Sequence, residues 1–374
     1  MKNLLKHILV LAILLPLSSL SSSVESFPQE LFQAERDQPR LQKLFRWDNR
    51  IVAQAGEFYF EIDPVKCTSM PIHFVGDRSM ISLTTALGKP FALGGNGDHY
   101  RVLFHRSGKN DWDMIRVPQN EEGKEDRYSI IVGDENSLVL LGQKSFKIFN
   151  GKNWINRDYS NEFSPSNSDP CVLWRGNVYY GYDRGEWGGG LRKLDLSTGQ
   201  WKEVTGKLPT VDYSKPQGQL VFVDDTPLSN VTDISITPDD NLKIICGCSH
   251  MGMYWGQIAR VSDNDLVNEL YISVRNDNNE WDFPVTDFDA LRFNNDGDQV
   301  LLSPRLGLLT YRNDEWKRLT PHWEDHAYLT SFLILNNDQY LLGTYDAGIV
   351  MIDLKKKTEK VIRLATSFYK WEEK

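Results

Sequence analysis

The sequence predicts an all-β fold, a β-propeller of seven blades with eight as the alternative, on three observations. Short apolar runs separated by turn-forming residues recur at steps of about 40–50 residues, which is blade spacing. Tryptophan returns at one place in that repeat. Beyond the N-terminus no segment holds a 3.6-residue apolar period for about 12 residues with capping signals, so helices contribute little.

The N-terminus stands outside the repeat. Lys2 and Lys6 are followed by an apolar run from Ile8 to Leu17, broken only by Pro16, and then by the serine-rich stretch Ser18–Ser26. A basic region, an apolar core and small residues make the layout of a secretory signal peptide. The run falls short of the roughly 20 apolar residues a bilayer span needs. Residues 1–23 are therefore expected to be removed, leaving 24–374 as one propeller domain without stable membrane insertion, secreted or periplasmic. The whole chain carries 42 basic and 51 acidic side chains, a net −9; loss of Lys2 and Lys6 takes it to −11. That acidity speaks against nucleic acid as a partner, since phosphates would be repelled.

The repeat reads as a strand, a polar turn, a second strand ending near glycine, a variable loop, a third strand, a turn rich in Asn, Asp, Gly and Lys, and a tryptophan. Its clearest copy runs from Val285 through Asn294–Asp298, Gln299–Ser303 and Gly307–Tyr311 to Trp316. The next runs from Tyr328 to Leu354, with Lys360 where tryptophan would stand. Trp112, Trp154, Trp201 and Trp281 mark other copies, and Ile51–Gly56 with Phe58–Asp63 forms a weaker early one. Markers at Gly56, Gly95, Gly142, Gly181, Gly247, Ser303 and Gly343 step by 39, 47, 39, 66, 56 and 40 residues. The two long steps place insertions near 205–230 and 260–280, and the 66-residue step also leaves room for an eighth, degenerate unit.

One such sheet has two apolar faces and cannot bury both alone. A closed ring of sheets buries every face and leaves no terminal repeat exposed. The runs Gln339–Asp353 and Gly188–Trp201 resemble the repeats of ligand-sensor propellers from exported domains of bacterial two-component regulators, and share features with kelch, WD40-like and sugar-lactonase propellers. The resemblance covers roughly residues 40–365 and implies the fold and a habit of binding. No kinase module follows the propeller, so signalling is not implied.

Loops on a rigid scaffold are where function concentrates. The loops between second and third strands offer Asp98 and His99; Asp183, Arg184, Glu186 and Trp187; His250 and Tyr254; Arg305; and Tyr345 and Asp346. These are the expected ligand-binding residues, with His322, Trp323 and His326 on a blade-joining loop beside them. Acids, bases and aromatics on one rim suit a protein, peptide or glycan. The alternative is a hydrolase or lyase of lactonase or glycosidase type with a carboxylate or metal site at the channel mouth. Against it, no nucleophile elbow, phosphate loop or zinc-protease helix is present. The acidic turns Pro238–Asn241, Asn294–Asp298 and Asn336–Asp338 lack the terminal glutamate of a calcium loop and read as hairpin turns. No cofactor or metal is expected. Cys67, Cys171, Cys246 and Cys248 allow three complete pairings, among which the sequence does not choose.

Overall fold

Leu138-Val139-Leu140-Leu141 shows in four residues why this chain forms a ring. All four are buried. Leu138 and Leu140 pack with Phe91, Leu93 and Val102, whereas Val139 and Leu141 pack with Val178, Tyr180 and Leu194. Alternate residues of a strand point to opposite faces, so this sheet is covered on both sides by neighbouring sheets.

The computed structural model describes residues 41–364 apart from 48–49, 57, 73–79, 97–98, 106–111, 119–125, 162, 164, 167–168, 185–187, 213–218, 251–252, 263–264, 274–287, 304–306, 313–314, 321–328 and 345–347. The proposed leader lies outside the described residues. Blade 1 is β1 Leu41–Trp47, β2 Arg50–Ala55, β3 Phe58–Asp63 and β4 Thr68–Pro71. Blade 2 is β5 Met80–Ala86, β6 Lys89–Asn96, β7 His99–His105 and β8 Trp112–Arg116. Blade 3 is β9 Ile130–Gly133, β10 Leu138–Leu141, β11 Ser145–Phe149 and β12 Trp154–Asp158. Blade 4 is β13 Cys171–Trp174, β14 Asn177–Asp183, β15 Gly189–Asp195 and β16 Gln200–Glu203. A larger sheet follows, of β17 Thr205–Asp212, β18 Gln219–Pro227, β19 Val231–Ile236, β20 Leu242–His250, β21 Met253–Ser262 and β22 Asp265–Ser273. Blade 5 is β23 Ala290–Phe293, β24 Gln299–Ser303, β25 Gly307–Arg312 and β26 Glu315–Arg318. Blade 6 is β27 Leu329–Asn336, β28 Gln339–Thr344, β29 Gly348–Asp353 and β30 Thr358–Ile362.

The core is a set of layers between sheets. An apolar cluster lies between each pair of neighbours around the ring, and the last joins blade 6 to blade 1 through Leu333, Leu341 and Ile349 against Leu41, Leu44 and Phe60. This closed arrangement of meandering antiparallel sheets is a β-propeller.

The expectation of seven blades, or eight, needs correction. Among the described residues six blades are four-stranded, and the remaining sheet has six strands in the order β18-β17-β22-β21-β20-β19. The 66-residue step is spent on the β17–β18 hairpin, which covers the region read as an insertion near 205–230. β17 joins the outer edge of β22 in parallel through Gly206↔Leu266 and Lys207↔Val267. A Cβ on Gly206 would lie 2.2 Å from the Leu266 carbonyl oxygen. Glycine alone permits that approach.

The marker tryptophans open fourth strands. Trp112 and Trp154 are the first residues of β8 and β12, and Trp201 and Trp316 the second of β16 and β26. Trp201 is 3% exposed and sits between blades 3 and 4, against Tyr159 and Tyr180. Trp281 lies outside the described residues.

The acidic turns join first to second strands and tie neighbours together at one end of the ring. Asp240 accepts from Trp174 Nε1 at 2.8 Å and Arg175 Nε at 3.0 Å, linking blade 4 to the six-stranded sheet. Asn337 Nδ2 donates to Asp296 Oδ2 at 2.9 Å, linking blades 6 and 5. Asp240 itself has φ +55°, a conformation Asn and Asp tolerate in turns. Among the described residues no helix is long and apolar enough to cross a membrane, and Cys67, Cys171 and Cys246 are free thiols.

Candidate functional site

First strands form the inner edge of each sheet, with one row of backbone groups turned toward the channel. Exposed sheet edges must be satisfied or protected. Here a side-chain oxygen from one sheet caps the next sheet's inner strand. Ser82 Oγ accepts from Ile131 N at 3.3 Å, Asp233 Oδ2 from Leu291 N at 3.1 Å, and Ser331 Oγ from Leu44 N at 3.0 Å. Each of the three acceptors follows a register irregularity in its strand. That extra residue re-aims the side chain along the ring.

Charge enters the channel on the same strands. Asp233, 9% exposed, pairs with Arg292 Nη1, which also donates to the Leu291 carbonyl at 2.6 Å. Lys43 retains accessible surface, yet burial lowers its ammonium pKa, with Asp233 opposing that effect and Arg292 adding to it. Cys171, from blade 4 across the ring, also lies within its electrostatic reach.

The second-to-third-strand turns lie together at the opposite end from the acidic turns, since the ends of β6, β14, β20, β24 and β28 pair with the starts of the inner strands. His99, His250 and Tyr254 stand in strands at this rim, with side chains outside the described set; Asp98, Glu186, Trp187, Arg305, Tyr345 and Asp346 lie outside the described residues, as do His322, Trp323 and His326.

Asp183 and Arg184 are described and exposed. They sit on the turn of blade 4, closed by Arg184 N to Gly188 O at 2.8 Å. Arg184 lies over the Tyr182 ring, 5.3 Å from its centroid, and Arg192 lies 5.7 Å from the same ring and 4.5 Å from Phe163. Tyr182 stacks on Tyr180 at 6.4 Å. The glycine run 188–190 makes room for this ladder: a Cβ on Gly190 would lie 2.6 Å from the Tyr182 hydroxyl, and one on Gly189 would lie 2.5 Å from Asn230 N.

Beneath the ladder, the Tyr180 hydroxyl donates to Asp169 Oδ2 and accepts from Ser166 N at 2.9 Å. Burial pushes the Asp169 carboxyl above its ordinary range; the Tyr180 hydrogen bond opposes this, the Asp183 charge adds to it and Arg184 opposes it. Asp169, Asp183 and Arg184 therefore form one electrostatic group. On blade 3, Asp126 shapes the adjoining turn by accepting from the amides of Gln143, Lys144 and Ser145 at 2.7, 3.0 and 2.7 Å, and from Ser145 Oγ at 2.7 Å. Among the described residues no group of three His, Cys, Asp or Glu side chains is placed to hold a metal.

Sequence reasoning found Asp183 and Arg184 but not Asp169, Tyr182, Arg192, Lys43, Asp233 or Arg292.

No protein-family model and no curated protein matches the chain. Solved structures do resemble it. YCF48 bound to D1 peptide superposes with a TM-score of 0.52 at 12% identity, covering 88% of this chain and 97% of that one. YCF48 from Cyanidioschyzon merolae gives 0.53 at 10% identity, over 85% and 97%. The extracellular domain of the one-component system BT4673 from B. thetaiotaomicron gives 0.49 at 12% identity, over 86% of this chain and 39% of that one. At such identities the likeness to the two YCF48 structures shows the fold alone: this chain is a β-propeller.

Proposed function

We propose that the chain is an exported binding module that recognises a protein, peptide or glycan through the rim formed by its second-to-third-strand turns. Residues 1–23 would direct export, and 24–374 would act as a soluble propeller, secreted or periplasmic. The Arg184–Tyr182–Arg192 ladder beside Asp183 and Asp169 carries this reading. It presents guanidinium donors, an aromatic face and carboxylate acceptors together on a rigid sheet end, a mixture suited to a polar chain ligand. Asp98, His99, Glu186, Trp187, His250, Tyr254, Arg305, Tyr345 and Asp346 would extend the same rim. YCF48, a propeller of this general shape, has been solved with a peptide bound.

The test is a peptide and glycan array probed with residues 24–374, each hit then titrated by calorimetry. Arg184→Ala or Tyr182→Ala should weaken a true rim ligand about tenfold or more, the scale of a lost charge-assisted contact. Hits that bind both variants as tightly as the parent would place recognition elsewhere. A hydrolase or lyase is the second reading, favoured by Asp169, a carboxyl held toward its protonated form beside Asp183, an arrangement that general acids share. Turnover of a rim ligand that Asp169→Asn abolishes without weakening binding would replace the first reading with the second.

A further inference from the structure

At the far end of the channel from the rim, the first strands of blade 1, the six-stranded sheet, blade 5 and blade 6 surround an open cavity of about 430 Å³. Two guanidinium groups, Arg46 and Arg292, share its wall with Phe45, Phe293, Ile236 and Ile334. Arg46 is fixed by its Nη2 bond to the Ile334 carbonyl at 2.9 Å. Among the described residues no acceptor meets its Nε or Nη1. Arg292 gives Nη1 to Asp233 and the Leu291 carbonyl, which orients the rest of its fork. Lys43 stands on the same strand as Arg46 and feels both Asp233 and Arg292. On the inner strands here Lys43, Arg46 and Arg292 stand with Asp233; the carboxylates of Asp239, Asp240, Asp296 and Asp298 lie on the turns beyond, at the same end of the ring.

We propose that this cavity binds a small organic acid: a carboxylate carried on an aromatic or branched aliphatic body. Three features define that class. A guanidinium fork matches a carboxylate in geometry and charge. Phe45, Phe293 and Ile334 pack in part against the layers between sheets, and Ile236, 43% exposed, faces water, so the wall offers an apolar body contacts that a bare inorganic anion would not use. The volume suits a small molecule rather than a folded partner, since such sites run from about 300 to 1,000 Å³. The site lies at the other end of the molecule from the rim and does not depend on what the rim binds.

Calorimetry on residues 24–374 at low salt tests this with four probes. Phenylacetate and 4-methylvalerate carry charge and body, phenylacetamide the body alone, and acetate the charge alone. At least one of the two acids should bind tenfold or more tighter than phenylacetamide and acetate, and the affinity should fall as salt rises. Arg46→Gln should weaken that acid about tenfold or more. Ile236→Glu, a change at an exposed position that places an acid at the mouth, should do the same without touching the packing. Tyr182→Ala should leave it unchanged. The proposal is overturned if phenylacetamide or acetate binds as tightly as the acids, if Arg46→Gln and Ile236→Glu both bind normally, or if neither acid binds at about 10 mM, a level that detects even millimolar affinity.

Discussion

The junction of blades 6 and 1 is where this ring is open to attack, and Leu341→Ala is the change that probes it. Among the described residues every four-stranded blade is built from consecutive strands, and no strand from one end completes a sheet begun at the other. Neighbours elsewhere are also joined by the chain itself; blades 6 and 1 are held by contacts alone. These are the layer around Leu341, the Ser331–Leu44 hydrogen bond at 3.0 Å, the Arg46–Ile334 bond at 2.9 Å, and Ser69 Oγ to the Arg363 carbonyl at 2.8 Å. Leu341 is 0% exposed, so truncation should cost about 2–5 kcal/mol, a large part of the roughly 5–15 kcal/mol that holds a domain folded. Leu140→Ala removes an equally buried leucine from the layer between blades 2 and 3. Both variants should lose similar stability in urea. Hydrogen exchange should separate them. Leu341→Ala should raise exchange selectively in β1 and in β27–β30, by about 30- to 3,000-fold at tenfold per 1.4 kcal/mol, because the seam can part without unfolding the other blades. Leu140→Ala should raise it evenly. Uniform exchange in both variants, or unchanged exchange in β1 and β27 of Leu341→Ala, would refute the idea of a non-covalent seam.

Other outcomes follow from the same structure. Asp126→Ala leaves three amides of the blade 3 rim turn without their acceptor and should cost about 2–4 kcal/mol in urea unfolding; Asp126→Asn should recover part of it. Gly206→Val should release the β17–β18 hairpin while β19–β22 stay paired, read as fast exchange confined to 205–227. Asp353 is held at about 2, below the ordinary 3.8, first by the Gln339 side-chain amide at 2.8 Å and then by the Lys356 amide at 2.9 Å. A depressed carboxyl stabilises the fold above its unfolded pKa and loses that contribution as pH falls through its folded one. Asp353→Asn should therefore flatten the loss of stability between about pH 4 and pH 2; an unchanged acid limb would contradict the assignment. N-terminal sequencing of exported protein should find Val24 or a residue close after it.

The sequence by itself determined the repeat. Strand-length apolar runs such as Leu138–Leu141 are buried on both faces, and that requirement alone makes neighbouring sheets obligatory. Glycine at strand ends, Asn and Asp in hairpins and tryptophan at the start of fourth strands are local choices, set by φ preferences and by the space beside a turn, so they could be read one unit at a time. The leader and the loop residues were legible as chemistry but not as a site.

Tertiary structure decided what depends on partners distant in the chain. β17 pairs in parallel with β22 across some 60 residues, and no local periodicity encodes an edge pairing of that kind; this is why an insertion was expected near 205–230 where two further strands of a six-stranded sheet are found. Asp169 meets Tyr180, Asp183 and Arg184 only once blade 4 has formed. Lys43, Asp233 and Arg292 are unremarkable charges along the chain and become a channel lining because each lies on an inner strand. Burial is a property of neighbours, and for those residues the neighbours come from other blades.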